Sequence, residues 1–298
     1  MPPTSPATVL TLFLLAAAIC AVWLPAPAGG KIRVVPWTVV APAALLCGVL
    51  AGVLHWQGVA ALAALATTAS AAAGSRKPAK RIVAGLFTAV LALALATHWL
   101  PGFDNPLLLR RVVLSHGATP FTQYANLDKG AAGLILVALL CKRTRTWREF
   151  GAMLATAWPL MLVTLAAVFG LGMGLGLVRP DVKWSGLTTQ FIAVNLFFTV
   201  VAEEAFFRGL LQERLAAALD GTRYGACLAV AVSAVLFGAV HLGGGPLFAL
   251  MAGVAGLGYA VVYQWTRRIE AAILLHIVVN AVHFIFFTYP SLLKAHGA

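Results

Sequence analysis

Charge is what this 298-residue chain has least of: Asp, Glu, Lys and Arg together make up 10% of it, and only nine of its residues are acidic. A folded domain facing water on all sides carries more than twice that share, so a soluble globular protein is excluded. Cysteine is also sparse. Cys20, Cys47, Cys141 and Cys227 each stand alone in or beside an apolar run. No C-x-x-C or zinc-ribbon spacing exists, which argues against a disulfide framework and leaves the four thiols as small hydrophobes. The metalloprotease signature H-E-x-x-H is absent. So is any basic patch interleaved with aromatics, and the net charge of +12 therefore gives no reason to expect nucleic acid.

What the chain has instead is hydrophobicity, 61% of its residues at a mean hydropathy of +0.92. Apolar runs of about 18–25 residues recur, each long enough to cross roughly 30 Å of hydrocarbon. The expected fold class is all-α, a polytopic transmembrane helical bundle of eight to ten spans. Candidate spans lie near 8–27, 37–55, 57–74, 82–100, 130–142, 152–177, 188–210, 225–242, 246–265 and 270–288. The first lacks the positive leading segment of a signal peptide and reads as an uncleaved helix. With ten spans and the N-terminus outside, 15 of the 21 basic residues fall on the cytoplasmic side, Lys31, Arg33, Arg208, Arg267 and Arg268 among them. Arg110, Arg111, Lys129, Arg179, Lys183 and Lys294 fall on the other side, an asymmetry that fits the positive-inside rule.

Pro101-Gly102 and Asn105-Pro106 mark the stretch 101–129 as a loop outside the membrane. Asp128-Lys129 at its end reads as a helix start with local charge neutralisation. Up to about residue 180 the spans hold almost no polar side chains; beyond about 186, Glu, His, Asn and Arg appear inside them. This predicts a variable helical region over 1–180 and a functional unit over 181–298.

The centre of that unit is Val201-Ala202-Glu203-Glu204-Ala205-Phe206-Phe207-Arg208-Gly209. Two carboxylates in an apolar helix are costly to bury and are usually functional. The other seven acids, Asp104, Asp128, Glu149, Asp181, Glu213, Asp220 and Glu270, fall in or near connecting segments. On an α-helix Glu204 and Arg208 share a face and suit an ion pair; Glu203 points about 100° away from it. A purely structural Arg–Glu pair is the plain alternative. Phe237-x-x-x-His241 closes the eighth span, and His276-x-x-x-Asn280, with His283 beyond, stripes the last. Counting 19 residues either way from Thr222 puts Glu203 and His241 level across a hairpin, with Gly238 and Gly243-Gly244-Gly245 allowing close approach. An interhelical hydrogen-bond network accounts for any one of these motifs. It accounts poorly for three together.

In this order and at these separations, Glu203-Glu204-x-x-x-Arg208, Phe237-x-x-x-His241 and His276-x-x-x-Asn280 resemble the CAAX prenyl protease 2 family, the type II CAAX or CPBP intramembrane endopeptidases with Rce1-like members. Arg208-Gly209 and Gly253-x-x-Gly256-x-Gly258-x-x-x-x-Tyr263 fit as well. The resemblance spans about 186–288. It implies hydrolysis of a peptide bond in a membrane-associated protein or peptide. Glu203 would be the general base assisted by His241, His276 and Asn280 the oxyanion donors, and Glu204, Arg208 and Phe237 the support. It implies no cofactor, with zinc held by Glu203, His241 and His276 as the alternative. Asn280 is a poor zinc ligand and a good oxyanion donor. The expected setting is multi-pass in a bacterial inner membrane, with the lipid bilayer as surroundings and no nucleic acid. Oligomeric state is open. Two other readings stand beside it: a transporter or proton-relay protein, which should show internal repeats, and a non-catalytic scaffold relative.

Overall fold

In the computed structural model, which describes residues 5–25 and 34–293, all ten apolar segments are helices. They are α1 (Pro6–Ala21), α2 (Trp37–Leu50), α3 (Trp56–Gly74), α4 (Pro78–Ala96), α5 (Leu127–Leu140), α6 (Trp147–Gly174), α7 (Gly186–Ala218), α8 (Gly225–Ala239), α9 (Pro246–Thr266) and α10 (Ile269–Phe286). Of these, α4, α6, α7, α9 and α10 are long and apolar enough to cross a membrane, while α1, α2 and α8 are apolar but shorter. The topology markers Lys31, Arg33 and Lys294 lie outside the described residues.

Helix starts follow local chemistry. The Ser5 hydroxyl accepts from Thr8 N ahead of Pro6, Thr146 caps α6, and Ser185 with Thr188 forms a capping box on α7. Gly245, at φ +97°, makes the turn into Pro246 of α9, a conformation open to glycine alone at no steric cost. The stretch 101–129 is not simply a loop. It carries a two-stranded sheet, β1 (Leu107–Val112) and β2 (Phe121–Tyr124); the Pro and Gly around it dominate the sequence signal and hide two short extended runs.

The chain forms two compact units. The first comprises residues up to 108, 124–141 and 197–206, the last being the middle of α7. Within it α5 packs against α1, α3, α4 and the 201–204 turn of α7. Small residues set that last approach. A Cβ on Gly133 would lie 2.8 Å from Ala202 Cα, and one on Gly130 would lie 2.7 Å from the Phe198 ring. At the head of α5, buried Asp128 accepts from His98 Nδ1 (2.6 Å), Asn105 Nδ2 (3.0 Å) and the Lys129 amide (2.7 Å), while Asn105 Oδ1 takes the Leu127 amide at 2.7 Å. His98 holds a left-handed backbone (φ 60°), worth about 1–3 kcal/mol of strain, which its place in this network offsets.

The second unit comprises residues 109–123, 142–196 and 207 onward. Here α9 is central, flanked by α6, α8 and α10. Gly238 meets the α9 backbone directly, a Cβ there being 2.9 Å from Ala249 O; the close approach it makes is to α9, where the expectation was the α7–α8 hairpin. The ends of the long helices are tied by two acids. Glu270 accepts from Thr144 N (2.7 Å) and Oγ1 (2.8 Å), and Glu213 from Arg267, Lys142 and Tyr263. Glu270, in the first turn of α10 beside the connection where it was expected, and Glu213, inside α7, bind the helices together. The segment after α10 returns along 177–183, with Thr288 N donating to Arg179 O (3.0 Å) and Leu292 N to Leu177 O (2.9 Å). Beside it the Ser115 hydroxyl, then Lys183, hold the Asp181 carboxyl below its ordinary value.

Candidate active site

The catalytic candidates sit on a helix that is not uniform. Within α7, π-helical backbone covers Leu196–Val200 and Ala205–Gln212, and α-helical backbone returns only over Val201–Glu204 between them. π-turns close i→i+5 and are rare outside functional sites. The Glu204-to-Arg208 step, read from the sequence as one α-helical turn, therefore runs into π backbone. Residue composition carries no signal for this change of winding.

Glu203 and Glu204 belong to the first unit. Glu204 is fully buried. Glu203 Oε1 accepts from Lys129 Nζ of α5 at 2.6 Å, and both side chains are 14% exposed. The helix start at Asp128-Lys129 is present as expected; the local charge neutralisation is corrected, since each charge pairs elsewhere. The two residues diverge, Asp128 into the His98–Asn105 network and Lys129 towards the carboxylate pair. The sequence view missed Lys129 because a cation at the head of an apolar run resembles any membrane-boundary lysine. The only cue was its setting, just ahead of Gly130-x-x-Gly133, a small-residue spacing that brings helices close.

The remaining candidates lie in the second unit, gathered on one ring. Phe237 stands 4.7 Å from the His241 ring, 5.6 Å from His276, 5.8 Å from Tyr259 and 5.1 Å from Phe207, centroid to centroid. The Arg208 guanidinium lies 4.7 Å from the Phe237 centroid and 5.4 Å from that of Tyr259. It is fully buried, and Nη2 donates to Gly256 O at 2.7 Å. Four residues on, Gln212 Nε2 donates to Ala260 O at 2.9 Å, four residues further along α9. Two polar side chains of the π segment thus grip two successive turns of α9, and Gly256 leaves the room, since a Cβ there would meet Phe237 at 2.9 Å.

His241 lies just past the end of α8, where its Nδ1 donates to Phe237 O at 2.7 Å. A carbonyl only accepts, so in the neutral ring Nε2 is left as the acceptor. His276 is buried on α10 and stacks on Tyr259 at 4.5 Å, planes 19° apart. One turn on, Asn280 Nδ2 donates to Asn195 Oδ1 of α7 at 2.8 Å. His283 is not part of this group, its ring meeting Phe169 and Tyr289. Asn195 and Tyr259 are further residues that the sequence view missed. Asn195 is a lone amide in an apolar span, and Tyr259 lies within the glycine run already noted.

Among the described residues, no three His, Cys, Asp or Glu side chains stand together as a metal-ligand set. Chemically, the second unit offers an imidazole acceptor, a buried imidazole and an oriented carboxamide; the first offers a buried, ion-paired carboxylate.

Residues 184–282 match the family model described as type II CAAX prenyl endopeptidase Rce1-like, and the chain carries a domain of that family there. No curated protein and no solved structure matches the chain. The matched family is described as one of endopeptidases. Together with five helices able to cross a bilayer, it makes the chain an integral membrane protein.

Proposed function

We propose that the Rce1-like domain makes this chain an intramembrane endopeptidase of the glutamic type, hydrolysing a peptide bond in a membrane-associated protein. Residues 181–298 supply the core of the enzyme and 1–180 an accompanying helical region. One observation carries the reading: inside the matched domain, Arg208, His241 and His276 converge on the Phe237 ring in the interior of an apolar helix set. Such groups are expensive in a membrane and mark function.

In this mechanism Glu203 takes a proton from water as the water oxygen attacks the carbonyl carbon, with His241 Nε2 as a second acceptor for that water. His276 and Asn280 donate to the oxyanion that forms, worth a few kcal/mol each. The tetrahedral intermediate collapses, the C–N bond breaks, and the proton passes from Glu203 to the leaving nitrogen. Glu203 ends ionised, as it began. Arg208 holds α7 against α9, and Glu204 supports it. Catalysis runs without metal in this scheme. The ammonium of Lys129 at Glu203 opposes a divalent cation at the same carboxylate, and the fourth group is a carboxamide, a poor zinc ligand.

The test is a proteomic comparison of membranes carrying wild-type or Glu203→Gln protein. Accumulation of an uncleaved membrane protein in the variant, with the variant inserted and folded, is the expected result. Full retention of cleavage would remove Glu203 as the base. Strong chelation should leave the wild-type rate intact, and a loss restored by zinc would move Glu203, His241 and His276 to the role of ligands.

A further inference from the structure

Lys129 lies well outside the matched domain, yet its ammonium is 2.6 Å from Glu203 Oε1 with both side chains 14% exposed. An ion pair largely withdrawn from water contributes little stability over an apolar pair of similar volume, so stability does not account for a lysine here. Its backbone is fixed more firmly than a membrane-boundary cation requires. The Lys129 amide is held by buried Asp128, which is itself fixed by His98 and Asn105. Four residues on, Gly133 seats α5 on Ala202, the neighbour of Glu203. Both the cation and the helix turn that carries its partner are therefore held in place.

From this geometry we infer that Lys129 is a positioning residue of the catalytic centre: it keeps Glu203 ionised and oriented as the resting base, so that α5 completes a site the Rce1-like domain does not contain alone. The inference rests on Glu203 being the base. An ionised carboxylate offers lone pairs on two oxygens, so an ammonium at Oε1 still leaves room to hold a water. Once Glu203 has taken the water's proton, Lys129 remains a buried cation beside a neutral acid. That state is relieved when the proton moves to the leaving nitrogen and the pair re-forms. Lys129 thereby keeps the base charged at rest and favours return of the proton in the second half of the cycle, without itself exchanging one.

Infrared spectroscopy of the purified, reconstituted protein separates this idea from the function it builds on, because it needs no substrate. At neutral pH, Lys129→Met should show a protonated-carboxyl band absent from wild type, and that band should vanish in Lys129→Met/Glu203→Gln. The double variant, with neither buried charge, also serves as the folding control. On the substrate that accumulates with Glu203→Gln, Lys129→Met should lose on the order of 100-fold in kcat with KM little changed, and Lys129→Arg should recover most of it. Absence of the new band overturns the inference, as does wild-type kcat in Lys129→Met. A Glu203→Gln enzyme that still cleaves sinks the base assignment, whatever the infrared result.

Discussion

Gly133→Ala replaces a hydrogen by a methyl group at the point where α5 meets the turn carrying Glu203. The new Cβ would lie 2.8 Å from Ala202 Cα and 2.9 Å from both Ala202 Cβ and N. Carbon atoms rest at about 3.5–4.0 Å, so the two helices must part by about 0.7–1 Å. Neither side can give by rotating a side chain, since the contact is with backbone. Overpacking of this kind costs about 1–3 kcal/mol, offset by about 0.5–1 kcal/mol for replacing a helical glycine, which leaves a net loss of about 1–2 kcal/mol. The effect on cleavage should be much larger, because a displacement of about 1 Å at a catalytic group costs on the order of 100-fold. Gly151→Ala on α6 is the matched control, with nothing within 4 Å of its new Cβ; it should be neutral or slightly stabilising. Thermal unfolding in detergent and cleavage rate, measured on the same preparations, give both quantities. Should Gly133→Ala cleave within about threefold of wild type, the position of Glu203 does not depend on α5, and the argument from this contact fails.

Two further outcomes follow from the second unit. Arg208→Met removes a charge-assisted bond to Gly256 O and the stacking on Phe237 and Tyr259, an expected loss of about 3–5 kcal/mol in unfolding free energy. Gln212→Leu gives up two neutral interhelical bonds, to Ala260 O at 2.9 Å and Gln264 Oε1 at 3.5 Å, worth about 0.6 kcal/mol each. It also removes the buried Gln212 Oε1, which has no hydrogen-bond partner among the described residues; a loss above about 2 kcal/mol would contradict this comparison. Asn195→Ala frees the Asn280 carboxamide and should lower kcat by about 10-fold with KM unchanged, whereas an effect on KM alone would assign Asn195 to substrate binding.

How much of this was legible in the residues differs from place to place. The helical character of the apolar segments was, because apolar length is a property of composition. The number of true spans, expected as eight to ten, was not, since among the described residues only five helices have the length and hydropathy to cross a membrane. The Arg208, Phe237, His241 and His276 cluster was legible, since polar residues in an apolar span have few reasons to be there. The π-helical winding around Glu203 was not. It changes which residues share a face without changing any residue, and an α-helical ruler laid along Glu204 and Arg208 has no way to register it. Lys129 was missed for a different reason: its partner lies 74 residues away, and nothing in a local window distinguishes a lysine that turns inward from one that snorkels to water. Asn195 shows the same limit, its partner Asn280 being 85 residues off. Long-range pairs of single polar residues are fixed by packing, and packing here was set by glycines whose purpose shows only once the neighbour is known.

The grip of Arg208 on α9 also bears on how the protein is made. Its carbonyl partner lies 48 residues downstream, so α7 enters the membrane before the group that receives its guanidinium has been synthesised. Arginine at the centre of a span carries an insertion penalty of about 2.5–3.5 kcal/mol, and the Gly256 carbonyl is one of the groups that offset it here. That part of the compensation arrives only with α9, so the seating of the catalytic helix is completed late in synthesis.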